Sequence, residues 1–382
     1  MSAETPTAPE TVEAQAKQFL ANPNFCKSFT IPKTEDHEEL TISYADLGRQ
    51  PKNDEDAVNI PTILFHPGMF ASRLALVLKH TMAEKLGVRI ITADRPGMGS
   101  STDIGVEKRI DIWIEIVPKL LDHLHIKHVA LASHSAGTLY LLNTLMRLRH
   151  ILDPKQPLVA LFAPWVDPTY SKLATMQVLR YIPTGAYSIW NKIPKFFMVD
   201  AAPAFEASGS VMSSITKMLP TSLQTSGGES DNAVMSATRQ KLYEEYGLPQ
   251  DLLLAINTKT TEAVFAESTV GANREALLCT RKGPDGSWGR CDNYDTYVKE
   301  LAAMEKDTNP SDGATKLRVR LYFAKSDLMI GETGREYMEG CWQREASAFD
   351  FKTTIVEDTD HDTVLSGEVF EQLFIDVGGK RP

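Results

Sequence analysis

At 382 residues, with 42% hydrophobic and 24% charged side chains, the chain has enough apolar content for a sizeable core, which excludes global disorder. Its formal charge of −10 excludes the broad basic face that general binding to nucleic acid or to an anionic membrane requires. The four cysteines, Cys26, Cys279, Cys291 and Cys341, are scattered without a C-x-x-C pair and point to free thiols rather than a disulfide framework.

Residues 1–23 read as a polar tail containing Pro and Glu. It has neither a basic leader nor an apolar h-region, and no apolar run reaches the length of a membrane span, so a cytoplasmic protein is expected. "CKSFTIP" and "EELTISYADLG" alternate apolar and polar residues as an antiparallel hairpin does. Buried strands alternating with helices follow. "NIPTILF" is a strand, "ASRLALVLKHTMAEKLG" a helix closed by Gly87, "VRIITA" a strand, and "RIDIWIEIVPKLLDHLHI" a helix with Pro118 as a candidate kink. "HVALAS", "AGTLYLLNTLMRLRH" and "PLVALFA" add strand, helix and strand. Short continuous apolar strands between helices predict a parallel sheet covered on both faces.

That alternation then stops for about 145 residues, a length read from the helical spacing of the segments that follow. They are "YSKLATMQVLRY", "YSIWNKIPKFFM", "VMSSITKML", "NAVMSATRQKLYEEYG" and "NYDTYVKELAAMEKD", with "TSLQTSGGESDN" the most linker-like stretch. After Pro310 the core pattern resumes with "KLRVRLYFA", "GETGREYMEGCWQREA", "DFKTTIVED" and "VLSGEVFEQLFIDVGG". The expected division is a tail (1–23), a first core part (24–167), a helical insertion (168–310) and a second core part (311–382).

"LASHSAGTLY" places Ser135 between a strand and a helix, in the pattern small-x-Ser-x-Gly, with Ser133 where the usual motif has glycine and Gly137 at the second small position. A serine hydroxyl becomes a useful nucleophile when a base takes its proton and donors receive the oxyanion. Nine histidines could supply that base, but in a Ser–acid–His chain order only His150 and His361 follow Ser135. His150 ends the helix that Ser135 begins, about 20 Å away at the rise of an α-helix. His361 is therefore the candidate base. Asp327, at the end of "LYFAKSD", is the favoured acid, with Asp167 in "APWVDP" as the rival. The N–H of Ala136 is one oxyanion donor. The second comes from "HPGMFAS", where Gly68 permits close approach and Met69 is the choice, the register being open by one residue. His66 is expected to brace this loop rather than react.

Together these motifs resemble the α/β-hydrolase superfamily over residues 25–382, apart from the insertion. "FHPG", "DRPGMGSS", "SHSAG", "KSD" and "DHD" carry the resemblance, and "DRPGMGSS" is similar to the turn of its cap-bearing branch. The resemblance implies a mostly parallel eight-stranded sheet flanked by helices, with a large helical cap after strand 6 and a structural role for Asp94. It also implies a hydrolase of an ester, lactone or thioester of a small hydrophobic molecule, with no cofactor and no metal. Acyl transfer, C–C hydrolysis with the same three residues, and a slow-turnover ligand receptor stay open as alternatives. A serine at 135 argues against haloalkane and epoxide chemistry, which use aspartate on this fold.

Three weaker signals point elsewhere. "HLHIKH" has metal-like spacing but lies at the amino edge of the sheet. "DTDHD" opens like a calcium loop but has Thr363 and Val369 where glycine and glutamate are needed. Its acids Asp358, Asp360 and Asp362 are instead candidates to raise the pKa of His361. Tyr181, Tyr187, Trp190, Phe196, Phe197 and Met198 form either the core of the insertion or the wall of an apolar pocket. Oligomeric state is not legible in the sequence.

Overall fold

The computed structural model describes residues 11–192, 242–308 and 315–381. Eight strands form one sheet: β1 Lys27–Ile31, β2 Leu40–Gly48, β3 Thr62–His66, β4 Arg89–Ala93, β5 Ala130–His134, β6 Leu158–Phe162, β7 Arg318–Ala324 and β8 Asp350–Val356. Their order is β1-β2-β4-β3-β5-β6-β7-β8. The β1–β2 and β2–β4 pairs are antiparallel, and the pairs from β4–β3 to β7–β8 are parallel. The expected hairpin and parallel sheet are both present.

Strands β3 to β6 are buried at every residue, as continuous apolar runs between helical layers must be. Their alternate residues feed two cores: Leu64, Leu131 and Leu161 on one face, Phe65, Ala132 and Phe162 on the other. The outer strands β1 and β8 mix exposed and half-buried positions, consistent with solvent on one side.

Helices cover both faces. α1 is Val12–Leu20, α2 Asp54–Asn59, α3 His80–Leu86, α4 Arg109–His123 and α5 Gly137–Arg147. After β6 come α6 Pro168–Ser171, α7 Ala174–Leu179, α8 Gln250–Ala266, α9 Gly271–Cys279 and α10 Tyr294–Thr308. α11 (Gly331–Arg344) and α12 (Gly367–Asp376) complete the core. Trp113 of α4, Tyr140 of α5 and Trp342 of α11 fill one side of the sheet; Met82 of α3 and Phe370 and Phe374 of α12 fill the other.

Three local differences from the sequence reading have physical causes. The helix expected over 71–87 is not continuous: Arg73–Lys79 is a 3-10 segment kinked at Leu76, which leaves helical geometry at φ −115° and ψ 19°, and α3 follows it. α3 closes at Gly87 (φ +75°), as expected. Val12–Leu20, read as part of the polar tail, is helical: Thr11 caps it by accepting from Ala14 N–H at 3.2 Å, and Ala16 is buried against the second core. α8 and α9 were not singled out in the sequence; α8 carries Leu252–Leu254, Ile256, Val264 and Phe265 around more than one face, so it lacks a clean stripe. "VMSSITKML", "TSLQTSGGESDN", Phe196, Phe197 and Met198 lie outside the described residues. Among the described residues, no helix is long and apolar enough to cross a membrane. All four cysteines are free.

Candidate active site

β5 ends at His134 and α5 begins at Gly137, leaving two residues for the reversal. Ser135 sits in that turn at φ +49°, a left-handed conformation that L-residues adopt rarely and at a cost. The strain is held from both sides, since Ser135 N–H donates to Phe162 O at 3.0 Å and Ser135 O accepts from Thr138 and Trp165 N–H at 2.9 and 3.3 Å. A Cβ on Gly137 would lie 2.0 Å from the His66 carbonyl oxygen, so only glycine fits there. Ser133, at the other small position, is fully buried, and its hydroxyl has no hydrogen-bond partner among the described residues. Its side chain is tolerated rather than used.

His361 follows β8 and reaches back to this turn. Its Nε2 is 2.8 Å from Ser135 Oγ, and its Nδ1 is 2.9 Å from Asp327 Oδ2. Asp327 lies just beyond β7, and its other oxygen, Oδ1, accepts from the N–H groups of Met329 and Ile330, both at 2.8 Å. One carboxylate oxygen is thereby fixed by backbone while the other faces the imidazole. The rival acid Asp167 is engaged elsewhere: it caps α6 through Thr169 N–H and pairs with Arg281 Nε at 2.9 Å.

Three charges set the protonation of His361. Burial disfavours the imidazolium, but Asp327, by charge and hydrogen bond, followed by Asp362 and Asp360, outweighs it and raises the pKa to about 9. Asp327 is itself buried, which works against its charge, yet His361 and the two N–H donors bring its pKa below the ordinary carboxylate value.

His134 is the residue that sequence reasoning missed. It is buried, burial and the neighbouring His361 lower its pKa to about 3, and its Nε2 stands 2.8 Å from the His361 carbonyl oxygen. Because a carbonyl can only accept, Nε2 carries the proton. A neutral imidazole thus ties the backbone of His361 to the end of β5. The sole sequence signal was its place beside Ser135.

The loop after β3 lies against the same turn. A Cβ on Gly68 would come within 2.9 Å of His134 Nδ1 and 3.5 Å of Ser135 Cβ, so glycine permits the approach. Neither Met69 N–H nor Ala136 N–H is taken by another group among the described residues. His66 does not brace this loop: it is fully buried in β3, bonds the Ala132 carbonyl through Nδ1 at 3.1 Å and meets the Trp113 ring edge-on. Burial lowers its pKa to about 3. Asp94 is structural, held by Arg73 N–H at 2.6 Å, Arg73 Nη1 at 2.7 Å and Ser43 Oγ at 2.7 Å.

A cavity of about 620 Å³ reaches Ser135 and His361. Phe65, Met69, Phe70, Leu78 and Trp165 line it from the core; Met176, Leu179, Ile182, Trp190 and Val264 line it from the segments after β6. Of the aromatics in question, Trp190 thus faces the cavity, Tyr187 is buried and Tyr181 is 83% exposed.

No family model and no curated protein matches the sequence. Solved structures do match the fold. The chain is similar to a carboxylesterase structure from the thaumarchaeon Nitrososphaera gargenis, at 11% identity and TM-score 0.51, over 90% of this chain and 96% of that one. It is similar to a bacterial membrane phospholipase A described as a virulence factor, at 15% identity and TM-score 0.51, over 96% and 90%. A lipase structure, itself described as unconfirmed in function, from Acinetobacter baumannii AYE matches at 13% identity and TM-score 0.50, over 98% and 97%. With the sheet order and the strand–serine–helix turn, these matches show that the chain has the α/β-hydrolase fold.

Proposed function

We propose that the protein is a serine hydrolase that cleaves an ester, lactone or thioester of a small hydrophobic molecule through an acyl-enzyme on Ser135. The observation that carries this reading is the continuous hydrogen-bonded chain Ser135–His361–Asp327, at 2.8 and 2.9 Å, at the wall of an apolar cavity. Ser135 Oγ attacks the carbonyl carbon as its proton passes to His361 Nε2. The N–H groups of Ala136 and Met69 receive the negative charge on the carbonyl oxygen. His361 returns the proton to the leaving oxygen or sulfur as that bond breaks. Water, deprotonated by His361, then releases the acid and restores Ser135. In this reading residues 168–310 form a cap between core parts 24–167 and 311–382, and its apolar side chains select an uncharged substrate.

Intact-mass spectrometry after incubation with a fluorophosphonate tests the nucleophile and its base. One adduct is expected on the wild type and none on Ser135→Ala or His361→Ala. An adduct on Ser135→Ala equal to that on the wild type would refute the assignment of Ser135.

The raised His361 pKa has a consequence for pH. The base must be neutral to accept a proton, so a pKa raised to about 9 leaves most of the free enzyme protonated at pH 7. kcat/KM for a neutral ester is expected to rise with pH through a limb near that value, and Asp362→Asn moves the limb to lower pH. A limb at the ordinary histidine value of 6.5 in the wild type is the contrary result.

A further inference from the structure

Arg95, the second residue of "DRPGMGSS", is 1% exposed, and its guanidinium is spent on the loop that carries Met69. Nη1 donates to Pro67 O, and Nη2 donates to Gly68 O at 2.6 Å and reaches Met69 O at 3.5 Å. Gly68 O also accepts from Ala71 N–H at 3.0 Å. In a planar trans peptide the carbonyl of one residue and the N–H of the next point in opposite directions. Two donors on Gly68 O therefore fix the orientation of Met69 N–H, turning it away from Arg95. Ser135 lies close to this same peptide, its Cβ 3.5 Å from where a Gly68 Cβ would sit.

The guanidinium is positioned in turn from the segment after β6. Glu275 of α9 is fully buried, with Oε1 3.4 Å from Arg95 Nε in an ion pair that lacks hydrogen-bond geometry. The same oxygen accepts from Tyr140 Oη at 2.5 Å and from Arg109 Nε and Nη2 at 3.0 and 2.9 Å. The turn bearing Arg95 is also joined to the approach to α9: Gly99 N–H donates to Ser268 O and Gly271 N–H to Gly97 O, both at 2.9 Å.

We propose that Arg95 is a positioning residue for the reaction: by holding the Pro67 and Gly68 carbonyls it aims the Met69 N–H at the oxyanion, and Glu275 of the post-β6 segment holds Arg95 in that pose. The proposal rests on the serine-hydrolase reading above. It links the helical segment to the transition state through a buried charge relay of contacts rather than through the substrate pocket. Arg suits the task because its planar fork donates to two carbonyls at once, which the point charge of lysine does not reproduce.

The test compares wild type, Arg95→Lys and Glu275→Gln with 4-nitrophenyl butyrate, and measures inhibition by butylboronic acid, which a reactive serine converts to a tetrahedral anion. Loss of one oxyanion donor costs about 10²-fold or more in kcat, so Arg95→Lys is expected to lose about 10²-fold with KM little changed. Its boronate affinity falls by a similar factor. Glu275→Gln, which removes the charge that holds the guanidinium against the two carbonyls without removing the guanidinium itself, loses less than a whole oxyanion donor is worth, about 10-fold in the same two quantities. A purely structural role would lower Tm and the active fraction without moving kcat per active site, counted by fluorophosphonate titration. That outcome in both variants overturns the proposal, as does a loss confined to KM. If the wild type itself neither hydrolyses the ester nor forms a boronate complex, the hydrolase reading fails instead.

Discussion

Asp327→Asn is expected to lower kcat by about 10⁴-fold while leaving the fold and KM close to those of the wild type. The size of this effect follows from a proton's location rather than from a lost contact. Asp327 Oδ1 is fixed by the N–H groups of Met329 and Ile330 at 2.8 Å. An asparagine must keep its carbonyl oxygen there, because its amide nitrogen cannot accept those two donors. The amide N–H₂ is then directed at His361 Nδ1, at the site where Asp327 Oδ2 now lies 2.9 Å away. Nδ1 must become the acceptor, so the ring proton moves to Nε2, and Nε2 can no longer take the proton of Ser135 Oγ. Steady-state kinetics, with the fluorophosphonate adduct rate as a second readout, measures the loss. Asp167→Asn is the control: its carboxylate serves Thr169 and Arg281, and kcat stays near wild type. If Asp167→Asn caused the larger loss, the roles of the two acids would be reversed.

The residues legible in the sequence share one property, namely that chain order and strand position constrain them. Ser135 stood out because the turn between β5 and α5 demands small neighbours. His361 followed from counting the histidines after it, and Asp327 from its place beyond an apolar strand. The eight strands were readable for a similar reason, since five- to nine-residue runs with period two or continuous apolar character have few other uses. Arg95, His134 and Glu275 carry no such mark. Their roles depend on what lies opposite them in space: Gly68 is 27 residues from Arg95, and His361 is 227 residues from His134. Glu275 was hidden further, since nothing in "GANREALLC" marks its carboxylate as fully buried. His66 shows the converse, a histidine suggestively placed in "FHPG" whose contacts turn it into the core. Buried polar groups are paired by tertiary structure, and a single sequence does not record the pairing.

Gly137→Ala is expected to destabilise the protein by about 3 kcal/mol or more, with nearly complete loss of labelling at Ser135. Alanine is the best helix former, so at the first residue of α5 it ought by propensity to help. The close packing of turn and loop decides otherwise. The new Cβ would meet His66 O at 2.0 Å, His66 C at 2.7 Å and Pro67 O at 2.8 Å, all backbone atoms without rotamers to yield. Relief requires the end of β3 to retreat or α5 to tilt away. Either movement separates Ser135 from the 67–69 loop, whose Pro67 and Gly68 carbonyls Arg95 holds. Stability and reactivity therefore fail together at this position, unlike at Asp327, where the chemistry is lost and the fold is kept. Gly185→Ala is the matched control, because among the described residues its Cβ would find no heavy atom within 4 Å. Thermal unfolding and adduct formation, measured on both variants, separate the cases. A Gly137→Ala protein with wild-type Tm and labelling rate would mean that the turn and loop are not in contact as described, and that Met69 lies too far from Ser135 to serve the oxyanion.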